Sequence, residues 1–224
     1  MNRYRPCLLA AVLLAAASGP ALAGPVYSDP VGDTFPGNPT GPDVTGISAD
    51  TFVNPGFATF GVQFAGPISP PSAFAPNSVT GIIDIDIDRN PATGNTTPLV
   101  NSFAGAPPFN LGSEFSIDLF SELFHPGFVD ITDGTGLTTL ATVPITFTSD
   151  GFTFMVPNSV FGQSGNYQFN FAGVFGDFLA PSDRVPNGPT PLVSTPEPLS
   201  LAVFGLLGLT AGAYARRRAA RAPC

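Results

Sequence analysis

The sequence has no tryptophan and no lysine, one histidine, two cysteines and only 11% charged residues among its 224. Each scarcity removes a class of chemistry. Without lysine, and with a net charge of −8, the chain has little to neutralise phosphates, which argues against duplex DNA, nucleic acid generally and anionic lipid head groups as partners. Cys7 and Cys224 stand near the two ends, so the region between them offers no disulfide and no thiolate metal site. The single histidine, His125, lies in His125-Pro126-Gly127, which reads as a turn. No Gly-x-Ser-x-Gly elbow supplies it with a serine partner. Long helices are excluded by 25 glycines and 26 prolines. What is abundant is phenylalanine, 21 residues, within a 43% hydrophobic composition, which is too apolar for a wholly disordered chain.

The two ends read as delivery signals. Arg3 and Arg5 precede an unbroken apolar run over residues 7–17, and Ala21-Leu22-Ala23 provides small residues before Gly24. This predicts a signal peptide over residues 1–23, cut by signal peptidase after Ala23. Residues 199–215 carry no charge and are followed by Arg216, Arg217, Arg218 and Arg221. A helix there covers about 25 Å, the lower limit for a membrane span. The arginines place residues 216–224 in the cytoplasm as a basic tail and everything before the span outside. Between the two signals, residues 24–195 keep Arg89 and Arg184 against fifteen carboxylates, a net charge of −13. A cation is the natural counterpart.

Between the ends the pattern is all-β. Runs of β-branched and aromatic residues at 44–53, 58–64, 79–88, 114–120, 128–132, 137–148, 152–156 and 167–175 are separated by Gly, Pro, Asn and Asp, predicting about eight strands. Residues 158–161 read as a helical turn. Ile83, Ile85 and Ile87 alternate with Asp84, Asp86 and Asp88, and Tyr167, Phe169 and Phe171 with Gln168 and Asn170, so one face is expected to be buried and the other wet. The expected architecture is a two-sheet antiparallel β-sandwich, jelly-roll-like, over residues 24–192, joined by a linker at 193–198 to the membrane segment. The Gly-Pro-rich stretches 24–43, 65–77 and 180–198 read as loops or tethers.

The sharpest chemical feature is the run from Ile83 to Gly94. On a strand its three aspartates share one face about 7 Å apart. A hard cation such as Ca²⁺ suits them, bound through Asp84, Asp86, Asp88 and Asn90 with further ligands from Asp29 and Asp33, or from Asp177 and Asp183. The alternative is a solvated acidic face partly balanced by Arg89. An EF-hand is excluded, because Arg89 occupies the glycine position and no Glu closes the loop.

Pro196-Glu197-Pro198, an apolar helix and an arginine cluster, in that order, resemble the PEP-CTERM sorting signal of Gram-negative bacteria, although Thr195 stands where that signal more often has Val. Such tails also carry the label of ice-binding-protein C-terminal domains; the scattered Thr93, Thr96, Thr97, Thr138 and Thr139 provide no regular ice-binding array. The resemblance implies transient anchoring in the inner membrane, processing near Pro196-Glu197-Pro198 by an exosortase, and release to the cell surface. The Asp29 to Asp33 loop, Pro42-Asp43-Val44, the Asp84 to Gly94 segment and residues 183–188 resemble extracellular sandwiches related to family-nine carbohydrate-binding modules, which implies a calcium near the acidic loops. The sugar site of that family is not carried over, because tryptophan is absent and Tyr27 and Tyr167 are the only tyrosines of this region. The expectation is a non-enzymatic protein, structural or adhesive in an exopolysaccharide or biofilm matrix. The alternative is a carboxylate-dependent extracellular glycoside hydrolase or a carbohydrate-binding accessory module.

Overall fold

A computed structural model describes residues 27–73, 75, 77–102 and 108–194. The expected signal peptide with Ala23, the Pro196-Glu197-Pro198 motif, the apolar segment 199–215 and Arg216 to Arg218 lie outside the described residues. Among the described residues no helix is long and apolar enough to cross a membrane.

The described residues form eleven strands: β1 (Tyr27–Ser28), β2 (Val44–Asp50), β3 (Phe57–Phe64), β4 (Thr80–Asp86), β5 (Phe115–Asp118), β6 (Phe128–Asp133), β7 (Thr139–Phe147), β8 (Gly151–Pro157), β9 (Asn170–Gly176), β10 (Pro181–Val185) and β11 (Leu192–Val193). The only helical elements described are short 3-10 turns at Leu99–Ser102, Leu119–Leu123 and Asn158–Phe161; the last is the turn expected from sequence. The protein is all-β, and its strand pairs are antiparallel.

The strands follow one continuous path, β1-β2-β3-β8-β7-β6-β5-β4-β9-β10, with β11 also on β9. Two separate sheets were the expectation; instead β7 belongs to both halves of a single curled sheet. Its first part pairs with β6 as far as Pro144 opposite Phe128, and Ile145 to Phe147 pair with β8. Curling brings the halves face to face, and phenylalanines fill the space. Phe64 on β3 meets Phe175 on β9 edge to face at 5.9 Å, Phe152 on β8 lies 6.2 Å from Phe175, and Phe60 lies 5.7 Å from Phe169. Such ring pairs contribute about 0.5–1.5 kcal/mol each beyond their buried area.

The path's two ends also meet. The Tyr27 hydroxyl donates to the Val193 carbonyl. Val44 N–H, at the start of β2, donates to Asp183 Oδ2 of β10 at 2.7 Å, and Phe35 N–H donates to the Ser182 carbonyl at 2.6 Å. Side chains and loop backbone therefore span the seam that ladder hydrogen bonds leave open.

The expectation of one wet face fails at β4. This strand lies between β5 and β9, and its second face is covered by the 3-10 turn at Leu99–Ser102 and by Phe109 and Leu111. There Val100, Phe109, Leu111, Ala172 and Val174 form a second apolar cluster against Ile82. Asp84 and Asp86 are consequently buried with no exposed surface, whereas Asp88, past the strand's end, is exposed. The stretches read as loops at 24–43 and 180–198 contain β1, β10 and β11. Ser194, past the last strand, is buried with its hydroxyl accepting Phe169 N–H at 2.9 Å.

Candidate functional site

Three features have chemical potential: two separate acidic clusters and a groove with a single charged lining residue. The Asp-rich run does not act as one unit. Asp84 accepts from the Ser116 hydroxyl, from Val100 N–H at 2.8 Å and from the Ser113 hydroxyl at 3.4 Å. Burial pushes its carboxyl up to about 6 against the opposing pull of those hydrogen bonds. It joins no group of neighbouring carboxylates among the described residues, and its role is to hold the 3-10 turn at Leu99–Ser102 onto β4.

Asp86 and Asp88 converge with Glu114, a residue the sequence reading passed over. Glu114 immediately precedes β5, and its N–H donates to the Ile85 carbonyl, so the β4–β5 register lays it beside Asp86. The cluster is largely closed by its own hydrogen bonds. Asn90 N–H donates to Asp86 Oδ1 at 3.0 Å and to Asp88 Oδ1 at 2.9 Å, the Thr93 hydroxyl donates to Asp88, Asn170 Nδ2 donates to Asp86 at 3.4 Å, and Ile87 N–H donates to Glu114 Oε2. Asn90, expected as a ligand through its side chain, acts through its backbone amide and turns its own Oδ1 to Ala92 N–H. Burial raises both Asp86 and Glu114 above the usual carboxylate range.

The second cluster unites segments distant in sequence. Asp29 follows β1, Asp33 lies in the following loop, Asp43 precedes β2 and Asp183 is on β10. Asp29, Asp33 and Asp183 each bring a carboxylate oxygen within 4.8 Å of the others. Asn187 Nδ2 donates to Asp29 Oδ1 at 2.9 Å and to Asp33 Oδ2 at 2.5 Å. Gly32 N–H donates to Asp43 Oδ2 at 2.8 Å. Asp183 has no exposed surface, and its two oxygens take Val44 N–H and Arg184 N–H. Arg184 itself places its guanidinium 3.9 Å from the Phe109 ring centroid and donates to the Pro186 and Gly188 carbonyls. Burial, then the neighbouring carboxylates, hold Asp29 up to about 7; burial, reinforced by Asp33 and Asp43, also lifts Asp183 to about 7.

Two oxygens in this cluster are orphans. Asp29, with 9% of its surface exposed, leaves Oδ2 buried without a hydrogen-bond partner, and Asp43 leaves Oδ1 in the same state. A buried acceptor without a donor costs on the order of 1–3 kcal/mol, more when charged. All-oxygen donors, several of them anionic and two unsatisfied, fit a hard cation such as Ca²⁺. Asp177, expected as a further ligand, lies apart and accepts Leu179 and Ala180 N–H at 2.8 and 2.9 Å.

The third feature is a groove of about 940 Å³ over the outer face of β3, β8 and the second half of β7. The period of two that sends Phe60, Val62, Phe152 and Phe154 inward leaves Phe57, Thr59, Gly61, Gln63, Thr153, Met155, Thr142 and Thr146 outward. Gly61 faces Thr153 across the ladder, and the lack of a side chain there hollows the floor. Among its lining residues Asp150 alone is charged, in a region of net charge −13. Phe57 and Met155 are 39% and 47% exposed.

His125 sits as the sequence suggests. Phe128 N–H closes a turn onto its carbonyl at 2.9 Å, and Gly127 takes the positive φ of 84° that the turn requires. Its Nδ1 lies 3.9 Å from Asp130 on the surface. No family model, curated protein or solved structure matches this chain.

Proposed function

We propose that this chain is exported, held briefly in the inner membrane by its C-terminal segment, trimmed by an exosortase and sorted to the surface of a Gram-negative cell. There its β-domain binds neutral polysaccharide of the extracellular matrix without turning it over. The observation that carries the binding reading is the groove: hydroxyl and amide groups of Thr59, Gln63, Thr146 and Thr153, one carboxylate, and the exposed Phe57 and Met155. A neutral sugar chain presents hydroxyls to the former and C–H faces to the latter, whereas an anionic ligand meets the repulsion of a −13 domain. The two facing halves, with β7 common to both, support reading the fold as a jelly-roll-like sandwich. The export and sorting reading rests on the two apolar ends, with Ala23, Pro196-Glu197-Pro198 and Arg216 to Arg218 as its landmarks.

Two measurements test this. Mass spectrometry of the surface fraction from the native host is expected to find a chain that begins at Gly24 and ends near Pro198; an arginine-bearing terminus in that fraction refutes the processing. In affinity electrophoresis through matrix polysaccharide, Phe57→Ala is expected to weaken retardation about tenfold, the loss of one stacking contact, while its melting temperature stays within about 2 °C of the parent. Equal retardation of the two proteins removes the groove from the argument. Release of reducing ends by the parent protein shows the hydrolase alternative instead.

A further inference from the structure

We infer that Met155 is an oxidation-sensitive contact of the groove, and that conversion of its thioether to the sulfoxide by a peroxide releases the bound sugar chain. The inference rests on the reading of the groove as a polysaccharide site. The chain has two methionines, Met1 and Met155, and its two cysteines are Cys7 and Cys224, so Met155 supplies the only sulfur between residues 24 and 195. It is 47% exposed, open to a small oxidant, and it lines the groove with Phe57, Thr59 and Thr153. Thr59 is its partner across the β3–β8 ladder. Phe57 stands two positions from Thr59 on the same face of β3. Met155 and Phe57 therefore belong to one apolar part of the contact, and the redox chemistry of the β-domain's sulfur is concentrated there.

The fold does not call for a thioether at this position. Phe152, Phe154 and Val156 are the residues that β8 sends into the core, and an outward place on a strand is filled as well by threonine, as at Thr59 and Thr153. In the reaction one oxygen atom passes from hydrogen peroxide to the Met155 sulfur. The S–O bond forms, the O–O bond breaks, the thioether is oxidised by two electrons and the peroxide leaves as water. The product is a polar, chiral side chain in place of a flexible apolar one. Its oxygen is a hydrogen-bond acceptor that stays hydrated in the open groove, and a sugar ring laid over it with a C–H face strips that water and returns no donor. A methionine sulfoxide reductase restores the thioether. The protein accordingly lets go of the matrix where peroxide accumulates and holds it again after repair.

The test uses the purified full-length chain in detergent, treated with millimolar hydrogen peroxide until peptide mapping finds one added oxygen on Met155. It is then run in affinity electrophoresis through neutral exopolysaccharide from the native host. The oxidised parent is expected to bind about fivefold more weakly than the untreated parent, with its melting temperature within about 2 °C, and a methionine sulfoxide reductase is expected to restore the retardation. Met155→Leu, apolar and of similar size, is expected to be retarded like the untreated parent and to stay so after peroxide, which removes Met1, Cys7 and Cys224 as the source of the effect. Met155→Gln is expected to match the oxidised parent without treatment. Retardation that persists once Met155 is fully oxidised overturns the switch and leaves the groove reading standing. So does an equal loss in peroxide-treated Met155→Leu, or a Met155 that resists peroxide in the folded protein while the unfolded chain is oxidised. No retardation of the untreated parent overturns the groove reading and the switch with it.

Discussion

Phe152→Ala is expected to lower the free energy of unfolding by about 3–5 kcal/mol, the range for emptying a well-packed aromatic position. Phe152 is 1% exposed and touches four rings: Phe147 at 5.6 Å, Phe64 at 6.0 Å, and Phe154 and Phe175 at 6.2 Å. Phe175 belongs to β9, the others to β3, β7 and β8, so this side chain joins the two halves of the sheet. Urea unfolding with an unchanged m-value measures the loss. Phe124→Ala serves as the control: that ring is 78% exposed and its removal is expected to change stability by less than about 0.5 kcal/mol. A Phe152→Ala loss below about 1 kcal/mol would mean that the two halves do not pack through this ring.

The second large effect belongs to Asp84 and depends on pH. Its carboxyl is pushed from 3.8 up to about 6 by burial, so the folded state holds a proton that the unfolded chain releases. The stabilisation is therefore complete below about pH 4 and disappears as pH rises through 6. A displacement of roughly two units corresponds to about 3 kcal/mol. Asp84→Asn keeps an oxygen for Val100 N–H, while its new N–H₂ finds an acceptor in the Ser116 hydroxyl once that group rotates. The variant is expected to match the parent near pH 4 and to exceed it by about 3 kcal/mol at pH 8, with EDTA present in both. Asp84→Ala leaves Val100 N–H and the Ser116 hydroxyl without their acceptor, and is expected to lose about 2–5 kcal/mol at pH 4. Denaturant unfolding at the two pH values reads both results. If the difference between parent and Asp84→Asn is the same at pH 4 and pH 8, the buried carboxyl is not the source of the pH dependence.

The strands that the sequence announces are those whose alternation survives folding. Phe169 and Phe171 are buried with half-buried Asn170 between them, and the run 152–156 matches β8 to within a residue at each end. β4 shows the limit. Ile-Asp alternation reads as a half-wet strand, but whether a second layer covers the aspartates depends on where residues 99–111 travel, and local periodicity carries no information about that. β1, β10 and β11 are two to five residues long and lie in Gly-Pro-rich stretches whose composition resembles loops. They become strands because partners exist for their amides.

For the acidic sites the residue types were legible and the grouping was not. Asp29 and Asp33 stand together in sequence, yet their partners Asp43 and Asp183 are found only once β10 reaches β2. Asp84 left the expected cluster because a strand interior cannot solvate it, and Glu114 entered because the β4–β5 register places it beside Asp86. The groove was illegible for a related reason. Phe57, Thr59 and Gly61 look like ordinary strand residues until β3, paired with β2 on one edge, is known to take the distant β8 on the other.

That pairing also dictates how the chain reaches its native state. Phe60 pairs with Phe154 and Ile83 with Gly173, contacts roughly ninety positions apart, and loops of that length close slowly. β3 and β4 can pair early with β2 and β5, but their other edges have no partners until most of the polypeptide has been made. Closure of the curled sheet is accordingly a late event that waits for β8 and β9.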